Sequence, residues 1–435
     1  MASKLMAAAA SPSTTTTAAN GTTTTAAAAT CTCTCTCPTS TSPASTATTI
    51  LSLSDDDIRE ILLRLPDLPS LVRAAFTCRP WLRAVRSSRP FRRLFRALHP
   101  SPLIGLFLAI GNASAPSFLP LRPYDPVVAA ALRRGDFFLT SLPPLTTGWG
   151  LVDCRNGYVL LWNKLPHRAS LAAINPMTWA VDVLPPLPAH ISAGNRRNFA
   201  VLGFHLLSSE ESPWSFRVAC VCTDRRRVRV AVFSSEAWEW AVRPWVHVGG
   251  NCSLKYMAGT LVGGSIFWPY HDEARMVRID TATMDVSFMD LPPRVEPAGY
   301  NFGIAETMFG ELCIVYEYDF DLYVWIRRPD LDGAEIWGQP SVLSLGAEID
   351  QLTHADILDV QLDLKIVQVR SELVYLSSTC TTHAGTLHCW FFSLSLATME
   401  LQLLFEGSFE GVVHLYDMPW PPSLVGDDDE SIGHE

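Results

Sequence analysis

From about residue 100 to residue 420 the chain repeats a strand–turn–strand unit that is too small to fold alone. Its best copies run from Ala173 to Pro186 and from Val277 to Pro293. Each has a hydrophobic run, a turn of Asn, Asp, Ser or Thr, and a second run closing on Leu-Pro-Pro. Looser copies run from Val232 to Trp240 and from Phe392 to Leu401. Aligned on Leu142, Leu184, Trp240, Leu291, Trp337 and Leu403, successive copies lie 42, 56, 51, 46 and 66 residues apart. A short antiparallel sheet cannot cover both of its faces. Stacking such sheets around an axis buries them, and closing the ring removes the exposed edges. A period near 50 residues therefore predicts a propeller of roughly six blades over residues 99–420. An open pair of β-sandwiches is the competing architecture.

Before it, residues 51–98 follow helical periodicity, punctuated by Pro66, Pro69, Pro80 and Pro90. Ile58, Ile61, Leu62 and Leu65 stand at i, i+3, i+4 and i+7 and draw one apolar stripe. Ser54 with Asp57 suits a helix start, and Pro66 stops the helix. Asp67 is placed to cap a second helix with Pro69 in its first turn and Leu68, Leu71, Val72, Ala75 and Phe76 on its apolar side. A third piece carries Trp81, Leu82 and Val85, and a fourth carries Phe91, Leu94, Phe95 and Leu98. Fewer than fifty residues bury too little surface to hide all of these side chains, so some face a partner or the rest of the chain.

The order Leu53, an acidic turn, Ile58-x-x-Ile61-Leu62-x-Arg64-Leu65-Pro66, then Leu71-Val72, Ala75, Cys78-Arg79-x-Trp81 and Phe91 resembles an F-box. Ser54 stands where members carry proline, and Pro80 where most carry a helix former. The segment from Asp153 to Trp162, followed by Asn175-Pro-Met-Thr, resembles the kelch-like associated region of plant F-box proteins, most like the large grass families. The resemblance implies a non-catalytic substrate receptor of an SCF-type cullin ubiquitin ligase. It implies docking on a Skp-family adaptor through Leu53, Ile58, Ile61, Leu62, Leu65, Pro66, Leu71, Val72, Ala75, Cys78, Trp81 and Val85. The propeller would then hold a target protein, by residues the sequence does not indicate. The expected fold is mainly β, with a small N-terminal α module and a disordered leader.

The rest of the composition narrows the alternatives. A net charge of −10 argues against general nucleic-acid binding. The eight arginines between Arg73 and Arg96, with no acid among them, read as a solvated face or as a match for an acidic partner. Residues 1–48 are Ala, Thr, Ser and Pro with one Lys and no acid; such a segment buries too little to order itself, though its composition also resembles a plastid transit peptide. No apolar run is long enough for a membrane span, and residues 421–435 read as an acidic, disordered tail. Twelve cysteines without a signal segment suggest a reducing compartment, cytoplasmic or nuclear, and no disulfides.

Chemistry is thin. Nucleotide, phosphate-loop and hydrolase motifs are missing. The Cys31–Cys37 alternation spaces its thiols too closely to wrap zinc. Cys380, His383, His388 and Cys389 have partly suitable spacing, but adjacent His388 and Cys389 point to opposite faces of a strand. Glu317, Asp319 and Asp321 would share one face of a continuous strand, as a cation site or glycosidase pair; a hairpin with acids at a solvated tip is the simpler reading. A propeller enzyme acting on carbohydrate, or a scaffold that delivers no target, are the competing functions. No cofactor or metal is expected.

Overall fold

The computed structural model describes residues 53–426 except 110–114, 144–147, 166–167, 194–198, 225, 249–253, 255–257, 272, 294, 296–300, 308, 331, 355–361, 371–372, 382–386 and 409–412. The leader with Cys31–Cys37, the Cys252 and His383 positions, and Asp427–Glu430 lie outside the described residues.

The chain opens with four short helices: α1 (Asp55–Leu63), α2 (Leu68–Ala75), α3 (Arg79–Arg86) and α4 (Arg89–Leu98). Each starts on a local device. The Ser54 hydroxyl accepts from the Asp57 N–H while the Asp57 carboxylate accepts from the Ser54 N–H, a reciprocal box that satisfies two orphan donors. Asp67 and Ser88 cap α2 and α4, and prolines stand in the first turns of α2, α3 and α4, where a missing N–H costs nothing. Ser54 and Pro80, the two departures from the F-box pattern, are therefore both helix starters.

Beyond the helices lie six separate antiparallel sheets, which rules out a pair of sandwiches. Five are meanders. The first is β3 (Gly150–Arg155), β4 (Tyr158–Leu165), β5 (Arg168–Asn175) and β6 (Ala180–Val183). The second is β7 (Ala200–Ser209), β8 (Ser212–Thr223), β9 (Arg227–Ser234) and β10 (Glu239–Val242), with β11 (Val246–His247) also on β9. The third is β12 (Thr260–Val262), β13 (Ser265–Pro269), β14 (Arg275–Asp280) and β15 (Val286–Asp290). The fourth is β16 (Phe302–Glu306), β17 (Leu312–Tyr318), β18 (Asp321–Pro329) and β19 (Glu335–Trp337), with β20 (Ser341–Ser344) also on β18. The fifth is β21 (Asp363–Arg370), β22 (Leu373–Thr381), β23 (Leu387–Ser395) and β24 (Leu401–Gly407). The sixth joins the two ends of the domain: β1 (Leu103–Leu108) lies between β2 (Ser117–Pro120) and the last strand, β25 (Val413–Asp417), with Leu106 opposite Leu415. That pairing closes a six-bladed β-propeller.

The alignment anchors from Leu184 onward fall on or just after the outermost strands β6, β10, β15, β19 and β24. Leu142 does not: it follows α5 (Pro126–Arg134) outside any strand, because the first blade takes its third strand from β25. The 66-residue gap holds β20 and the helix α6 (Gly346–Thr353). Blade faces are greasy throughout, as with Leu160, Phe204, Val218 and Phe233 in one layer and Val221, Ile266, Trp268 and Val277 in the next. Each such side chain, once buried, contributes about 1.5–3 kcal/mol.

The repeat in the sequence is a turn. Between the third and fourth strands of four blades, Asn175, Ser234, Asp280 and Ser395 accept backbone N–H groups two or three residues on. The chain then passes through a left-handed residue, Trp179, Trp238, Met284 or Met399, with φ of 64°, 56°, 64° and 57°. In three of these turns that residue's N–H closes on the carbonyl of the capping residue at 2.8 Å. The hydrogen bonds offset the cost of placing a bulky residue there.

Inner strands approach closely. A Cβ on Gly303 of β16 would come within 2.4 Å of Val369 Cγ2 and 3.0 Å of Ile366 Cγ2 on β21. Gly303→Ala is expected to cost about 1–3 kcal/mol by overpacking, read as a lowered denaturation midpoint.

Candidate functional site

The apolar stripes of α1–α4 turn inward on one another. Ile58, Leu62, Leu68, Leu71, Ala75, Ala84, Val85, Phe91 and Phe95 form one buried cluster, completed from the far end of the chain by Trp420, Leu424 and Val425. Of the residues expected on the adaptor face, Ile58, Leu62, Leu71, Ala75 and Val85 are 0–3% exposed in this chain and hold the module together. Residues 421–426, expected to belong to a disordered tail, carry a short 3₁₀ turn (Pro422–Leu424), and Leu424 and Val425 join the same buried cluster.

Other apolar side chains of the module stay wholly or partly accessible. Ile61 and Pro66 are exposed, while Leu53, Leu65, Val72, Cys78 and Trp81 are half-buried. Phe76, not anticipated as a contact, is 53% exposed. Its signal was present: Val72 and Phe76 stand at i and i+4, beside the inward set Leu68, Leu71 and Ala75. Leu94 and Leu98 on α4 form a second exposed pair by the same spacing.

The arginine-rich stretch meets its acidic partner inside this chain. Arg92, 2% exposed, donates from Nε to Glu211 Oε2 at 2.8 Å and from a terminal nitrogen to the Val85 carbonyl at 3.1 Å. Arg96 reaches Glu210 at 2.8 Å, pairs with Glu211 and lies over the Trp420 ring at 5.0 Å. Glu210 and Glu211 sit in the β7–β8 hairpin, so these ion pairs fasten α4 to the propeller. Burial works against the charge on Glu211, but hydrogen bonds from Arg96 and Arg92 outweigh it and hold that carboxyl below its usual range. For Glu210 burial wins over Arg96 and pushes the carboxyl up. Arg86 adds a bond to the Val425 carbonyl at 3.2 Å.

The other candidates do not assemble. Asp319 and Phe320 take positive φ in the two-residue turn between β17 and β18, which breaks the continuous strand that would align three carboxylates. Asp319 stands at the tip. Glu317 is buried, accepts from the Phe320 N–H at 2.9 Å and is bonded by Asn301, serving the turn; burial raises its pKa. Cys380 is paired across strands with His388, whose Nε2 lies 3.1 Å from Glu406 Oε1, while the Cys389 thiol is buried on the opposite face. Among the described residues no three His, Cys, Asp or Glu side chains are grouped to hold a metal ion. Cys220 and Cys222 are fully buried free thiols that share a hydrogen bond, with sulfurs 3.6 Å apart. Trp149 and Trp268 are buried in the propeller. Among the described residues no helix is long and apolar enough to cross a membrane.

A four-helix module fastened to a closed ring of six sheets defines the class: an N-terminal helical unit carried on a β-propeller. The family profile described as "F-box protein AT5G49610-like, beta-propeller" matches residues 150–423, more than half of the sequence, and the chain belongs to that family. No curated protein matches. Among solved structures, a protein from Lactobacillus plantarum has a TM-score of 0.40 at 10% identity, over 72% of this chain and 99% of the other. A quinonprotein alcohol dehydrogenase-like protein from Bacteroides thetaiotaomicron has a TM-score of 0.36 at 10% identity, over 73% and 76%. At such scores the likeness carries no argument about activity.

Proposed function

We propose that this protein is the substrate-recognition subunit of an SCF-type cullin ubiquitin ligase, without catalytic residues of its own. The helices dock on a Skp-family adaptor, and through it on a cullin; the propeller binds a target protein. The observation that carries the reading is the exposure of Ile61 and Phe76, with Leu65, Val72 and Trp81 only partly buried, on a helical module fastened to the propeller. The work done is positioning: tethering raises the effective concentration of the target's lysines near the ubiquitin donor. A place among the large grass F-box families, and action in the cytoplasm or nucleus, belong to the same proposal.

Co-expression with the adaptor tests it. Ile61→Asp and Phe76→Asp are expected to reduce co-purification at least about tenfold, since charge on an interface anchor costs more than about 1.4 kcal/mol. The melting temperature should hold, because these side chains lie at the surface. Leu62→Asp, in the core, should instead unfold the helices. Full recovery of adaptor by both surface variants would rule out this docking face.

A further inference from the structure

Of the eight arginines between Arg73 and Arg96, Arg92 and Arg96 are spent on the seam with the propeller; Arg73, Arg79, Arg83, Arg86, Arg89 and Arg93 are all exposed. Three of them form a row. Arg79, Arg83 and Arg86 stand at i, i+4 and i+7 on α3, on the side away from the buried Ala84 and Val85. At 1.5 Å per residue the row is about 10 Å long. Arg83 pairs with Asp55 at 3.1 Å. Arg86 gives its Nε to the uncharged Val425 carbonyl at 3.2 Å, and Arg79 makes no hydrogen bond or ion pair among the described residues. The charges of Arg79 and Arg86 thus meet no carboxylate there.

The far end of the chain arrives at this row. Leu424 and Val425 are anchored in the helical core, and Gly426 runs so close to Arg86 that a Cβ would come within 3.0 Å of its Cβ and Nε. The next four residues are Asp427, Asp428, Asp429 and Glu430. Extended, four residues reach about 13 Å, enough to follow the row from Arg86 to Arg79. Exposed ion pairs are weak one at a time. Here the carboxylates are tethered one residue from Arg86, and so short a link holds them at an effective concentration that lets several weak pairs form together.

We propose that Asp427–Glu430 lies along α3 and pairs with Arg79, Arg83 and Arg86, an acidic strap that carries the C-terminal anchor over the outside of the helical module. The strap fills the row from within the chain, so an acidic segment of any other molecule must displace it to bind there.

Arginine-selective labelling of the full chain with phenylglyoxal, mapped by mass spectrometry, is the test. At low ionic strength Arg79 and Arg83 are expected to react at least about threefold more slowly in the wild-type protein than in the variant Asp427→Asn, Asp428→Asn, Asp429→Asn, Glu430→Gln, the factor for a site covered about two-thirds of the time. The exposed Arg133 and Arg134 of α5 should react equally in both. Salt at 1 M, where the screening length falls to about 3 Å, should abolish the difference. In case the variant misfolds, the wild-type protein gives a second reading: Arg79 labelling relative to Arg133 should rise by a similar factor between low salt and 1 M salt. Equal Arg79 rates in the two proteins, a wild-type ratio that salt does not move, or protection lost on tenfold dilution, which would make the occupant a second copy, would each overturn the strap. Neither adaptor nor target enters the experiment, so its outcome is separate from the docking proposal.

Discussion

Glu211→Gln is expected to destabilise the protein by about 3–5 kcal/mol, the usual cost of stranding one partner of a buried ion pair. Arg92 is 2% exposed and Glu211 is the carboxylate at its Nε; without that charge the guanidinium keeps the Val85 and Arg86 carbonyls, which carry no full charge. Arg96 loses a partner at the same time and retains Glu210. Denaturant unfolding of the full chain measures the loss. The double variant Arg92→Met with Glu211→Leu should recover most of it, because two apolar groups of similar volume need no compensation. A single-variant loss under 0.5 kcal/mol on the scale of exposed pairs would show that the seam is solvated in solution. The pH dependence carries its own sign. Glu211 has a folded pKa below its ordinary value of 4.5, so its contribution is complete above that value and is lost as pH falls through the lower, folded one. Glu210, pushed up, works in the opposite sense and becomes neutral first on acidification.

That seam also shows where sequence reading stops. Ser54, Asp57, Asp67 and the early prolines act within one turn of themselves, so each helix start is legible from neighbours alone. The turn formed by Asn175, Ser234, Asp280 and Ser395 is equally local, and its recurrence exposes the blades. Which side of a helix meets solvent is a different matter. Ile58 and Ile61 look alike in the apolar stripe, yet Ile58 is sealed by a cluster that includes residues more than 350 positions away, while Ile61 is not. The same holds for the arginines: nothing near Arg92 and Arg96 announces Glu210 and Glu211, which a hairpin of another blade delivers. Leu142 was read as a blade edge because the strand that completes that sheet, β25, comes last in the chain. Least legible is the cavity that the inner strands surround, whose wall takes Asp153 from β3, His205 from β7 and His414 from β25, residues far apart in the chain.

Trp420→Ala is expected to release the helical module from the propeller while leaving the propeller closed. Trp420 follows β25 by three residues, is 2% exposed, meets Phe95 edge-on at 6.2 Å between centroids and lies under Arg96. Removing a side chain of that size from a core costs about 3–5 kcal/mol, and a four-helix unit of this length has little stability of its own to spend. The loss should therefore be concentrated in α1–α4, whose amide hydrogens should exchange faster by about two to four orders of magnitude, roughly the Boltzmann factor of that cost. Amides in β8, β13 and β22 should stay protected, because their blades pack on one another and not on Trp420. Trp420→Phe keeps an aromatic face for Phe95 and Arg96 and should fall well short of that effect. If α1–α4 keep full protection in Trp420→Ala, the helices stand without the C-terminal plug, and the buried half of the apolar stripe is free to open toward a partner. If protection is lost from blades and helices together, module and propeller unfold as one unit, and the docking surface exists only while the ring is intact.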